Sequence, residues 1–200
     1  MKQPLGVILA GGQATRMGGG DKGLRLLGGQ SLLARVEARL APQVADIALN
    51  ANGDPARFAY MGMPVIADSL DGFNGPLAGV LAGLDWAAAQ GAETIVTAAA
   101  DTPFFPCDLV PQLLLASEGM THPLVLAATP DATRGRARHP TFGLWPVALR
   151  DDLRMALGGG LRKVVMWTQQ HDGREALFPQ EAAFFNVNTP EDLAQAEAML

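Results

Sequence analysis

The sequence predicts an α/β fold: a single domain over residues 1–200, three layers deep (α/β/α), built on a mostly parallel, Rossmann-like sheet. Three observations predict it. Short apolar runs alternate with amphipathic helical patterns along the chain, as they do where parallel strands are joined by crossover helices. The first of those runs, residues 5–9, empties into a glycine-dense stretch, the kind of loop that such sheets present at a carboxyl edge. A length of 200 residues suits one domain with a substantial core.

The elements follow in order. Leu5-Gly6-Val7-Ile8-Leu9 is apolar throughout, as a strand buried on both faces requires. Ser31 precedes Leu32, Leu33, Val36 and Leu40; its hydroxyl can cap a helix whose apolar positions share one face, and Pro42 marks the end. Residues 46–50 and 64–67 predict the second and third core strands. Pro76 is a favoured first-turn residue, and Leu77, Val80, Leu81, Leu84 and Ala88 extend a helical stripe from it. Residues 94–99 predict the next strand, which ends just before Asp101. Leu109, Leu113 and Ala116 predict a helix, and residues 124–128 and 141–145 predict strands. Between those strands, residues 129–138 are polar and arginine-rich and predict a mobile loop. Helices are predicted over 147–157 and 161–168, with Met155 and Met166 in the core, and a last strand over 184–187. Thr189-Pro190-Glu191-Asp192 predicts a helix start, a cap followed by a first-turn proline.

Composition narrows the function. A net charge of −5 leaves no basic footprint, which argues against nucleic-acid binding. The single cysteine, Cys107, excludes an internal disulfide framework and a thiolate zinc cluster. The apolar stretch at residues 5–10 is too short for a signal-peptide core, and no apolar segment reaches the roughly 20 residues needed to cross a bilayer. The expectation is a cytoplasmic protein that meets no membrane.

The chemistry concentrates in residues 9–23, Leu-Ala-Gly-Gly-Gln-Ala-Thr-Arg-Met-Gly-Gly-Gly-Asp-Lys-Gly. Glycines let backbone N–H groups curl closely around an anion. Arg16 adds a planar fork of donors and Lys22 a point charge. Two formal matches fail. Gly18-x-Gly20-x-x-Gly23 has the spacing of a dinucleotide fingerprint but begins well beyond the strand end, and a P-loop would need Gly-Lys-Ser/Thr. A plain glycine-rich turn remains the other reading of the stretch.

In its Leu-Ala-Gly-Gly, Arg-Met-Gly and Asp-Lys-Gly segments the stretch resembles nucleotidyltransferases that charge a phosphorylated acceptor with a nucleoside monophosphate, and among them the molybdenum cofactor guanylyltransferases. The resemblance continues through Asn50-Ala51-Asn52, Gly75-Pro76-Leu77-Ala78-Gly79, Ala100-Asp101-Thr102-Pro103, His139-Pro140-Thr141 and residues 186–192. It implies transfer of GMP from GTP to the terminal phosphate of molybdopterin, with Mg2+ as cofactor. Handover of the product to molybdoenzymes or their chaperones is implied as well. Lys22, Arg16 and Asp101 are the implied catalytic residues, with Asp101 holding the metal. Leu9, Ala10, Gly11, Gly12, Gly18, Lys22, Asn50, Asp68, Gly75, Gly79, Asp101, Asn186 and Asn188 are the implied binding residues. Two departures from the family pattern are the Ala98-Ala99-Ala100 approach to Asp101 and a glycine at position 20.

On residue type alone each position has a second reading. Asp101 before Thr-Pro is either a turn or capping residue or a magnesium anchor at a strand end. Asn50 and Asp68 close strands, where they either bond their own backbone or bind a nucleotide. A carboxylate can accept from guanine's N1–H and exocyclic amine together, a pairing that cytosine's edge does not offer. Gly75 and Gly79 either admit a close backbone approach or serve turn and packing. Asn186 and Asn188, two apart, point to one face if extended. Arg162 and Lys163 either meet the acceptor phosphate or form a solvated basic face. His139 and Cys107 read as structural. Three rival functions stay in play: cytidylyl transfer, nucleotide transfer to a sugar phosphate, and non-catalytic nucleotide binding.

Overall fold

The computed structural model describes residues 2–11, 22–70, 72 and 75–200. From the amino end, β1 (Leu5–Leu9) leads to a small hairpin of β2 (Leu26–Leu27) and β3 (Gln30–Ser31), then to α1 (Leu32–Leu40). There follow β4 (Ile47–Asn50), β5 (Val65–Ile66), α2 (Pro76–Ala89), β6 (Thr94–Ala99) and α3 (Leu109–Ala116). The second half holds β7 (Val125–Asp131), β8 (Gly135–Pro146), α4 (Arg150–Gly158), α5 (Val164–Gln170), β9 (Arg174–Leu177) and α6 (Pro190–Glu197). Among the described residues the main sheet is seven-stranded, in the order β5-β4-β1-β6-β8-β7-β9. All neighbours are parallel except β8, which runs antiparallel to both β6 and β7.

Two apolar layers cover the sheet, and strand periodicity divides the residues between them. Ile8, Val96 and Val125 face Leu33, Val36 and Leu40 of α1 and Leu109, Val110 and Leu113 of α3. Val7, Ile95 and Leu126 face Leu77, Val80, Leu81 and Leu84 of α2, Leu153 and Leu157 of α4, and Val164 and Trp167 of α5. The three-layer arrangement therefore follows from alternating apolar strands covered by helices on both faces. Ser31 caps α1 by accepting from the Ala34 N–H at 3.1 Å. Thr189 and Asp192 form a reciprocal capping box on α6.

Register is what positions the site. Leu9 pairs with Asn50 on one side and Ala99 on the other, and Asn50 pairs with Ile66. The carboxyl ends of β1, β4, β5 and β6 therefore finish level. The residues that follow them, Ala10, Ala51, Ala67 and Ala100, open onto one edge.

Several expectations are corrected. Residues 129–138 form an ordered β7–β8 hairpin, not a loop. Its turn is held by Asp131 Oδ1, which accepts from the Thr133 and Arg134 N–H groups, and its arginines 136 and 138 pair with Glu175 of β9. Residues 184–187 do not join the sheet: Glu181–Phe184 is a 3-10 turn, and the chain then runs extended across the end of β6, where Val187 N–H donates to the Asp101 carbonyl at 2.8 Å. The strand actually present, β9, carries Arg174 and Glu175 and buries Ala176, too polar a run to signal a strand. Met155 and Met166 are exposed rather than core, because α4 turns Leu153 and Leu157 inward and α5 turns Val164 and Trp167 inward. No described helix is long and apolar enough to cross a membrane.

Candidate active site

Lys22 opens a 3-10 turn, Lys22–Leu24, whose Gly23 is buried. A Cβ on Gly23 would lie 3.3 Å from Leu33 Cβ and 3.5 Å from Ala100 Cβ, so the small residues at 23 and 100 let this turn sit down on α1 and the end of β6. The Lys22 ammonium is thereby delivered to the sheet edge. Its Nζ donates to Asn188 Oδ1 at 2.7 Å and stands 3.7 Å from Asp101 Oδ2.

Asp101 is fixed from three sides. Its carbonyl accepts from Val187 N–H, Lys22 faces one carboxylate oxygen, and the Thr102 hydroxyl lies 3.3 Å from the other. Thr102 is fully buried, and its hydroxyl also reaches Asn186 Oδ1. Burial pushes the Asp101 carboxyl above its ordinary range, and the Lys22 charge and the hydrogen bonds around it oppose the shift without cancelling it. A carboxylate in that condition gains from another cation. Among the described residues no group of three or more His, Cys, Asp or Glu gathers to enclose a metal. The part-buried Asp101 carboxylate fits Mg2+, which takes one or two carboxylates and fills its shell with phosphate oxygens and water.

Asn186 and Asn188 reach this cluster although no ladder holds them. The extended segment buries Val187 and turns the flanking amides to Thr102 and Lys22. The Asp192 carboxylate accepts from the N–H groups of Asn188 and Thr189, so the first turn of α6 clamps the segment.

The second cluster lies on the other side of β1. Asn50 is 2% exposed; its amide donates to the Ile66 carbonyl at 3.2 Å and to Asp68 Oδ1 at 3.0 Å. The Asn52 side chain donates to Asp68 Oδ2 at 2.8 Å, and its Oδ1 accepts from the Asp68 N–H at 2.9 Å. Each Asp68 oxygen thus has one amide partner and further acceptor capacity. Gly79 in α2 makes room for this: a Cβ there would lie 2.2 Å from Asn50 Oδ1 and 2.9 Å from Leu9 Cδ2. It is the packing reading of Gly79 that the contacts support. Gly75 caps α2 with φ 142° and open space around it, a conformation that L side chains rarely adopt.

At the end of β1 the Leu9 carbonyl accepts from Ala100 N–H at 3.0 Å, and Ala10 N–H donates to the Asn50 carbonyl at 2.9 Å. These bonds tie the loop's first residues to both clusters. Gly11 is exposed beside Asn50. Gly12, Arg16 and Gly18 lie outside the described residues. Arg162 donates to the Leu157 and Leu161 carbonyls at the α4–α5 junction, and Lys163 precedes α5; these contacts do not involve the Lys22–Asp101 cluster. His139 stacks on Phe184 with ring centroids 4.1 Å apart and planes 7° off parallel, its Nε2 3.0 Å from Thr129 Oγ1. Burial pushes its imidazole down to about 4. Cys107 is exposed, its sulfur 3.2 Å from Arg39 Nη1.

Sequence reasoning gave no role to Asn52 or Thr102. The Asn-x-Asn spacing past a strand end was the available signal for the first. Nothing in the sequence marks Thr102 as buried against Asn186, a contact between residues 84 positions apart.

Comparison with known proteins bears on the same region. Residues 6–173 match the MobA-like NTP transferase domain family. The chain is 51% identical over 195 residues to a molybdenum cofactor guanylyltransferase of Cereibacter sphaeroides, covering 98% of this chain and 96% of that one. It is 54% identical over 196 residues to a protein of the same name from Rhodopseudomonas palustris, covering 96% and 91%. Among solved structures, molybdopterin-guanine dinucleotide biosynthesis protein A from Archaeoglobus fulgidus superposes with TM-score 0.72 at 23% identity, covering 98% of this chain and 97% of that one. The 4-diphosphocytidyl-2C-methyl-D-erythritol synthase of Anaerococcus prevotii superposes with TM-score 0.77 at 15% identity, covering 99% and 96%. At such identities the two structures speak for the fold alone.

Proposed function

The chain belongs to the molybdenum cofactor guanylyltransferases, within the MobA-like NTP transferase domain family, and from that premise we propose that it transfers GMP from GTP to the terminal phosphate of molybdopterin. The products are the molybdopterin guanine dinucleotide and pyrophosphate. The observation that carries the proposal is the convergence of the Lys22 ammonium, the Asp101 carboxylate and the Asn188 amide within 3.7 Å of Lys22 Nζ, at the level edge where β1 ends.

The acceptor phosphate attacks the α-phosphorus of GTP, and the bond to the β,γ-pyrophosphate breaks. A phosphate monoester has its second pKa near about 6, so the nucleophile is already largely dianionic at neutral pH. A general base is unnecessary, and His139 is stacked and bonded elsewhere. What remains is alignment of two polyanions and neutralisation of the charge that moves. Lys22 supplies a cation at the α-phosphate, and Arg16 with the loop amides of Gly11, Gly12 and Gly18 holds the other phosphates, while Leu9 and Ala10, bonded into the sheet, fix where the loop starts. Asp101 would hold Mg2+, which supplies charge neutralisation along the triphosphate. Asp68, oriented by Asn50 and Asn52, accepts from the N1–H and amine of guanine, with Gly75 leaving room for the base and Gly79 making room for Asn50. Asn186 and Asn188 meet the acceptor phosphate.

We further assign the 200 residues to one catalytic domain working in the cytoplasm, with its product passed to molybdoenzymes or their chaperones. Pyrophosphate release measured with each nucleoside triphosphate, with and without molybdopterin, tests the reading. Release with GTP only in the presence of the pterin is expected. Equal release with CTP, or dependence on a sugar phosphate, would replace it by one of the related transfers.

A further inference from the structure

Beside Asn186, and away from the Asn50–Asp68 cluster, the surface opens into a cleft of about 430 Å³, within the size range of small-ligand sites. One wall is the His139–Phe184 pair. Phe184 is itself braced edge-on by Phe142 at 5.1 Å and Phe178 at 5.4 Å, so the wall is rigid and flat. Gln195 within α6, Met199 beyond it and the exposed Glu181 line the cleft as well. Asn186 lines the cleft too, and its Oδ1 takes the hydroxyl of Thr102 next to Asp101. The cleft is therefore linked to the Lys22–Asp101 cluster through Asn186 and Thr102.

We propose that this cleft takes the pterin ring system of the acceptor, stacked against the His139–Phe184 wall, with its phosphate end delivered past Asn186 to Lys22. The proposal rests on the functional reading above and adds to it a place and a recognition chemistry. A pterin is a flat, uncharged heterocycle whose 2-amino-4-oxopyrimidine ring carries an N–H and an amine side by side. Flat rings stack on aromatic faces, and a carboxylate accepts two adjacent N–H groups at once. Glu181 is the carboxylate among the lining residues, and Gln195 offers an amide for the ring's carbonyl and nitrogen edge. A neutral imidazole in the wall suits a neutral ring and costs no desolvated charge. Guanine displays the same amine and N–H edge, so the two rings are alternative occupants. The continuity of the cleft with Asn186, on the far side of Asp101 from Asp68, favours the acceptor's ring.

Glu181→Gln and Gln195→Ala alter exposed side chains and leave the wall intact, so both variants are expected to fold. Steady-state KM for molybdopterin should rise about tenfold or more in Glu181→Gln, the effect of losing one charge-assisted hydrogen bond. KM for GTP should stay unchanged. His139→Ala should weaken acceptor binding further and reduce the quenching of pterin fluorescence on titration with protein. A rise in KM for GTP instead would hand the cleft to guanine and overturn the proposal. An unchanged KM for molybdopterin in all three variants would overturn it as well. The fluorescence titration uses free pterin and needs no turnover. If the unaltered protein quenches pterin and Glu181→Gln does not, yet GTP is never consumed, the cleft assignment stands and the guanylyl-transfer reading falls.

Discussion

Replacing Gly79 with alanine puts the packing around Asn50 to a direct test. Gly79 lies in α2 and has no positive φ, so alanine is conformationally acceptable there and by helix propensity alone would stabilise by roughly 1 kcal/mol. The structure opposes that gain. The new methyl carbon would lie 2.2 Å from Asn50 Oδ1, 3.0 Å from Asn50 Cγ and 2.9 Å from Leu9 Cδ2, and the buried amide must move. Its bonds to the Ile66 carbonyl and Asp68 are then strained or lost, at about 1 kcal/mol each, and overpacking adds about 1–3 kcal/mol. The expected net cost is about 2–4 kcal/mol, a fall in Tm of roughly 4–16 °C for a chain of this size. KM for GTP should rise with it while KM for the acceptor holds. In an Asn50→Ala background the same substitution should cost at least about 1 kcal/mol less, because the clash with the amide is gone and the two sites are coupled. A Gly79→Ala protein with unchanged or raised Tm and an unaltered KM for GTP would refute this account of Asn50.

Lys22→Ala and Asp101→Ala should each keep the fold by circular dichroism and lose pyrophosphate release by roughly 100- to 1,000-fold, the effect of removing one preorganised electrostatic contact; near-normal rates in either would remove that residue from the mechanism. Asn52→Ala frees Asp68 from its reciprocal partner and should raise KM for GTP about tenfold with little change in kcat. Removing Mg2+ with a chelator should abolish turnover, and restoring it should recover the rate. For His139 the folded value of about 4 lies below the ordinary 6.5, so the unfolded chain binds the proton first. The stability this group contributes is present above 6.5 and is lost as pH falls towards 4. His139→Gln should therefore show a smaller drop in denaturation midpoint between about pH 7 and about pH 5 than the parent, measured by urea titration at each pH.

The parallel half of the fold was legible because its signals are local. Leu5–Leu9 is apolar at every position, Ser31 and Thr189 stand where caps belong, and Pro76 and Pro190 begin their helices, all as the structure has them. The misread parts depend on partners distant in sequence. Arg136 and Arg138 look like loop residues until Glu175, 37 or more positions later, pairs with both. Residues 184–187 have the composition of a strand, yet β9 already pairs with β7 at that end of the sheet. The site divides the same way. Lys22, Asp101, Asn186 and Asn188 were candidates by motif and strand-end position; the side chains of Asp101 and Asn188 meet Lys22, and Asn186 joins them through Thr102. Asn52 was passed over because its partner, Asp68, is 16 residues away and joins it only when β4 and β5 end together.

The most direct measurement follows the label from GTP carrying a radioactive α-phosphate, incubated with the protein, Mg2+ and molybdopterin. If Lys22, Asp101 and the amides around them align the two phosphates for displacement, the label moves into the pterin dinucleotide, with one equivalent of unlabelled pyrophosphate released. Label recovered as GDP or GMP, with the pterin unchanged, would contradict guanylyl transfer outright.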